Sequence, residues 1–177
     1  MREAMSLFIA GLFLFLAIHC VSIINYNWRD KMVEKIGEWP WKGIYSVIAL
    51  IGFVMLTAGF RDANAVGTLY DPPLWLRYIS LILMIPVFPL LLAAYFPGKI
   101  KEVTRHPMLL STKCWAFAHL LANGGGAEVI LFGSFLVWAV IDRVSLNRRP
   151  ARAIPGAPAG RFNDIIAVVG GVILYLL

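Results

Sequence analysis

The stretch TRHPMLLSTKCWAFAHLLANGGG, Thr104 to Gly126, places Arg105, His106, Lys113 and His119 in one apolar segment. An ionisable group within hydrocarbon is costly, so each one needs a partner or an escape to the interface. The remaining histidine of the chain is His19, in FLAIHCVS. Neutral imidazoles on facing helices of a bundle are suited to holding haem iron from both sides. His106 and His119 are 13 residues apart, about 20 Å along a helix at about 1.5 Å per residue, and near opposite faces. They cannot ligate one atom, which leaves His19 with His119 or His19 with His106. The axial offsets of the two pairs are comparable and do not choose between them. The His119 face weighs toward the first pair, because it carries Trp115, Ala116, Thr112 and Asn123, a set of flat, small and hydrogen-bonding groups. The competing reading is plain packing: Asn123 lies one turn after His119 and can hydrogen-bond it.

The other polar groups point to simpler roles. Arg105 beside His106, at the membrane surface, suits an anionic group such as phosphate or carboxylate. Lys113 can snorkel along its stem, Arg77 falls near the outer mouth of its helix, and Glu128 falls in a first turn where the helix dipole favours an anion. No Gly-rich phosphate loop, HExxH or Cys-rich metal pattern occurs, and a Ser–His–Asp site lacks a candidate buried Asp. Cys20 and Cys114 both lie in apolar runs and imply no disulfide framework.

The elements that must position these groups follow from composition. Of 177 residues, 60% are hydrophobic and 15% charged, and the mean hydropathy is +0.76. Such a chain has too little polar surface to coat a soluble globule and reads as an all-α polytopic membrane bundle. Six apolar runs are legible: Ser6–Ile24, Gly43–Phe60, Leu74–Phe96, Pro107–Ala122, Ala127–Ile141 and Ile165 to the C-terminus. The last is short, as a truncated helix would be. The formal charge of +6 does not imply nucleic acid, because the basic residues sit in short loops rather than on an aromatic-laced face. Arg29, Lys31, Lys35, Lys42, Lys99, Lys101, Arg105, Arg143, Arg148, Arg149, Arg152 and Arg161 fall in alternate loops, against Arg2 and Arg61 on the other side. That asymmetry puts the three basic loops in the cytoplasm and the N-terminus outside. MREAMS has no net charge and His19 precedes Cys20, so the first run reads as a retained helix rather than a signal segment.

No connection is long enough for a separate soluble unit, so residues 1–177 read as a single transmembrane domain. In NWRDKMVEKIGEWPWK, Met32, Val33 and Ile36 fall at helical spacing, edged by Trp28, Trp39 and Trp41. This predicts an interfacial amphipathic turn or two. Pro86 and Pro89 should bend the third helix. Gly124 to Gly126 predict a tight turn that makes the flanking helices antiparallel neighbours, and NRRPARAIPGAPAGRFND reads as a flexible strap.

In order, FLFLAIHCVSI, RDKMVEKIGEWPWKGIYSVIALIGF, TRHPMLLSTKCWAFAHLLANG and FNDIIAVVGGVILYLL resemble the NnrU family of bacterial membrane proteins over nearly the whole chain. That family is named from denitrifying bacteria and linked to production of active nitrite and nitric oxide reductases. The same elements are similar to plant ζ-carotene isomerase, a haem b enzyme related to it. The resemblance carries the iron-ligand roles onto His19 and His119. The isomerase has a cysteine three residues before its second histidine, where this chain has Ala116. That speaks against redox-dependent ligand exchange and against the isomerase reaction. RHP also opens a motif of isoprenylcysteine methyltransferases, but RHPM lacks the following tyrosine and no cofactor motif follows.

The resemblance implies an inner-membrane protein with haem b bound by His19 and His119; the residues themselves add Asn123, Arg105 and His106 as candidate supporting or anion-binding groups. The two imidazoles are expected about 4 Å apart, twice a metal–nitrogen bond of about 2 Å. The role implied is redox sensing, electron relay or maturation in nitrogen-oxide respiration, with respiratory proteins as partners. A haem isomerase acting on an isoprenoid ligand and a cofactor-free membrane scaffold are the alternatives.

Overall fold

The computed structural model describes residues 2–63, 67–150, 152 and 155–177. Among them the chain is all-helical: α1 (Arg2–Ile24), α2 (Tyr26–Ile36), α3 (Glu38–Ala63), α4 (Leu74–Met84), α5 (Val87–Ala93), α6 (Lys99–Thr104), α7 (Pro107–Ala122), α8 (Gly126–Ser145) and α9 (Asn163–Leu176). Each of the six apolar runs is helical over most of its length, the third as two helices, α4 and α5. Three stretches, Glu3–Ile24, Glu38–Ala63 and Leu74–Ala93, are long and apolar enough to cross a membrane. The chain forms two compact units, Met1–Leu69 with Gly125–Ala127 and Tyr70–Gly124 with Glu128–Leu177.

In the first unit α1 packs along α3, and glycine sets how closely. A methyl group on Gly52 would lie 2.7 Å from the Phe15 amide nitrogen, and one on Gly11 would meet the Leu56 amide and the Gly52 carbonyl. Gly59 abuts the Phe8 amide in the same way. With lipid on the outside, small residues that let backbones approach are what hold two membrane helices together. Phe8 is fully buried in this seam, 5.7 Å from Phe60 ring to ring. The amphipathic connector is longer than the predicted turn or two. As α2 it runs 11 residues, capped by the Asn25 side chain accepting from the Trp28 amide at 2.9 Å, and it buries none of its residues.

In the second unit the predicted bend falls at Ile85–Pro86, between α4 and α5. Proline removes the amide that would continue the helix. Two hydroxyls tie these halves to α7: Ser80 Oγ donates to the Ala118 carbonyl and Ser111 Oγ to the Val87 carbonyl, each at 2.7 Å. Helix α9 packs on α5, where Gly171 meets the backbone of Pro89. Its first turn reaches back to α6: Asp164 accepts from the amides of Lys99 at 2.9 Å and Ile100 at 3.0 Å. The strap before α9 does not hang free in its described part, because the Ala157 amide donates to the Tyr95 carbonyl at 2.8 Å. Ala151, Ala153 and Ile154 of the strap lie outside the described residues.

Candidate functional site

His19 belongs to the first unit; Arg105, His106, His119 and Asn123 belong to the second. His19 sits one turn after Phe15 on α1. Its Nδ1 is 2.6 Å from the Phe15 carbonyl, its ring stacks on the Phe15 ring at 4.3 Å, and Tyr45 of α3 meets it edge-on at 5.3 Å. A carbonyl can only accept, so the neutral imidazole carries its proton on Nδ1 and its lone pair on Nε2. Metal-binding histidines commonly take this form, with one ring nitrogen fixed by a backbone carbonyl.

His119 has a comparable aromatic setting. The ring of Phe132, on α8, stacks on it at 4.3 Å with an interplanar angle of 7°, and Trp115 meets it edge-on at 5.5 Å. Trp115 also touches Phe132 and Phe135, so α7 and α8 are the antiparallel neighbours that the glycine turn predicts. Tyr70 closes this end of α7, its hydroxyl 2.8 Å from the Asn123 carbonyl. That satisfies one of the carbonyls a helix C-terminus leaves open.

Asn123 does reach His119. Its Nδ2 lies 3.3 Å from His119 Nδ1 and donates to the His119 carbonyl at 2.9 Å. In that orientation the amide donates to Nδ1 and the imidazole proton moves to Nε2. The two histidines therefore suit an iron atom unequally. His19 is in the ligating tautomer as it stands, whereas His119 reaches it when the Asn123 amide turns to present its oxygen to Nδ1–H. Among the described residues no group of three or more His, Cys, Asp or Glu side chains gathers to hold a bare metal ion.

The other end of α7 is basic. Arg105 ends α6 with a φ of 59°, a conformation that side chains with a Cβ seldom adopt. His106 caps α7 and Pro107 takes the first helical position, where a missing N–H does no harm. Burial pushes the His106 imidazole below its ordinary 6.5, and the Arg143 charge adds to that. Asp142 opposes the shift, and Arg105 and Arg149 reinforce it. His106 and His119 stand at opposite ends of α7 and make no common site.

Phe15, Tyr45 and Phe132 escaped the sequence reading. Phe15 was detectable, because it precedes His19 by four residues on a continuous helix. Tyr45 and Phe132 come from other helices, and one-dimensional spacing carries no sign of them.

These features define a helical membrane protein with two aromatic-lined histidines. The chain belongs to the NnrU family: the family model described as NnrU protein matches residues 7–177. No curated protein and no solved structure matches the chain.

Proposed function

We propose that this NnrU-family protein is a multi-pass protein of the bacterial inner membrane, N-terminus periplasmic, and that His19 and His119 hold a haem b. His19 and His119 would each supply one imidazole nitrogen to the iron. The observation that carries it is the His19 Nδ1–H donated to the Phe15 carbonyl at 2.6 Å. That bond orients the ring and puts the lone pair on Nε2. When bound, haem supplies a one-electron iron couple, which suits redox sensing or electron relay in support of nitrite and nitric oxide reductases. The residues do the rest: Phe15, Tyr45, Trp115 and Phe132 hold the rings and exclude water, and Asn123, with its amide turned to present oxygen to Nδ1–H, would leave the His119 lone pair on Nε2. Lipid surrounds the helices, and respiratory proteins are the partners this role requires.

A second reading rests on the Asn123 amide, which as oriented keeps a proton on His119 Nε2. It makes His119 a packing residue of a cofactor-free scaffold. The absorption spectrum of the detergent-purified protein, expressed with haem precursor and recorded oxidised and dithionite-reduced, separates the two. Haem binding predicts a Soret band that is lost in His19→Ala and in His119→Ala and kept in Arg105→Ala. A colourless wild-type protein refutes it. Loss of pigment in Arg105→Ala equal to that in His119→Ala moves the site toward His106. Co-purified polyene indicates an isoprenoid-directed isomerase instead.

A further inference from the structure

The bend between α4 and α5 displaces a short series of backbone bonds. Pro86 has no amide to give the Ile82 carbonyl, and the Ile85 amide takes that carbonyl instead, at 3.2 Å. The Leu81 carbonyl, which a regular helix would pair with Ile85, is met by the Tyr175 hydroxyl of α9 at 3.1 Å. Within a membrane helix a freed carbonyl has to be satisfied by a neighbouring element, because lipid offers no donor. The regular pattern resumes beyond the bend, where the Leu90 amide donates to the Pro86 carbonyl at 2.9 Å.

Two helices grip this bend from both sides. On α9, Gly171 and Tyr175 are four residues apart and so share a face. Gly171 meets the Pro89 backbone after the bend, and Tyr175 meets Leu81 before it. On α7, Ser111 donates to the Val87 carbonyl after the bend, and the Ala118 carbonyl accepts from Ser80 before it, each at 2.7 Å. Ser80 and Val87 are seven residues apart, as are Ser111 and Ala118, so these two bonds stand about two turns apart in antiparallel register. Ser80 adjoins Leu81, and Ala118 adjoins His119. A continuous line of bonds therefore runs from the Tyr175 hydroxyl through α4 to the turn of α7 that carries His119.

We propose that Tyr175 is a positioning residue for His119: its hydroxyl latches α9 to α4, and Ser80 passes that constraint to the last turn of α7. The bend is the joint about which α4 moves when the latch opens, because the helical bonding is already interrupted there. Coupling between distant groups travels through packed contacts of this kind when one element has two arrangements. The bearing on iron rests on the reading of His119 as a haem ligand; the latch itself does not.

Hydrogen exchange of the detergent-purified full-length protein, followed by mass spectrometry, reads the latch without reference to haem. Tyr175→Phe removes only the hydroxyl and should speed exchange of the amides of residues 118–123 by about two- to tenfold, the fold-change of one ordinary hydrogen bond. Ser80→Ala should do the same. The double variant should exchange no faster there than Ser80→Ala alone, since the constraint reaches α7 through that residue. Tyr78→Phe, at an exposed position of α4, should leave those amides unchanged. In protein that carries haem, Tyr175→Phe should keep the Soret band and release haem to excess apomyoglobin about two- to tenfold faster, by the same loss of one bond. A colourless wild type refutes the haem reading and leaves the exchange result to decide the latch. Faster exchange with unchanged haem release confines Tyr175 to helix packing and overturns its positioning role. Unchanged α7 exchange in Tyr175→Phe, additive effects in the double variant, or an equal effect of Tyr78→Phe overturns the latch itself.

Discussion

Asp164→Ala should loosen the tie between α9 and α6 by an amount the structure allows to be worked out. The carboxylate accepts two backbone amides, Lys99 at 2.9 Å and Ile100 at 3.0 Å. It does for α6 what a side-chain cap does from within a helix, with Gly98 at the capping position offering no side chain of its own. Loss of a capping group costs about 1–2 kcal/mol, and partial exposure of the Lys99 bond favours the lower half of that range. At about 2–4 °C per kcal/mol for a chain of this size, the melting midpoint in detergent should fall by about 2–6 °C. Gly98→Ala should reach the same end by another route, because its methyl would lie 2.7 Å from Asp164 Cγ and displace the carboxylate. The double variant should then cost little more than either single one, since both remove the same bonds. Thermal unfolding followed by circular dichroism reads all three. Fully additive losses, or an unchanged midpoint in Asp164→Ala, would refute the assignment of Asp164 as the cap of α6.

Gly52→Ala should destabilise by about 1–3 kcal/mol, as overpacking does, because its methyl meets the Phe15 backbone. Gly43→Ala, also on α3 but with nothing within 4 Å, should stabilise by about 0.5–1 kcal/mol; denaturant titration compares them. His106 has a folded pKa depressed below 6.5 by burial and by Arg143. Its contribution to stability is therefore complete above 6.5 and is lost as pH falls through the lower folded value. The melting midpoint of His106→Gln should accordingly depend less on pH than wild type across that acid range. Single cysteines at Lys35, Lys99 and Arg149 should resist a membrane-impermeant thiol reagent added from the periplasm; efficient labelling there would invert the proposed topology.

What the sequence disclosed was whatever local spacing controls. The helical runs, the break at Pro86, the glycine turn and the Asn123–His119 contact are set by residues within a turn or two of each other. What stayed hidden joins distant residues. Nothing near Asp164 announces the amides of Lys99 and Ile100, and nothing near His119 announces Phe132. The same holds for Arg149, which reads along the chain as one of several basic residues in a loop. Only the fold turns its side chain inward onto Asp142.

The glycine seam between α1 and α3 also bears on the order in which the protein is made. Both faces of that seam, Gly11 against Leu56 and Gly52 against Phe15, are encoded before residue 64. The partners can therefore meet while the ribosome is still adding the second unit, and early-emerging segments generally settle first during synthesis. The surface helix α2 between them buries no residue of its own. It joins α1 to α3, which folds back along α1. The nascent chain would thus anchor itself as a finished pair, and only then receive Gly125, which arrives some sixty residues later to meet Thr68.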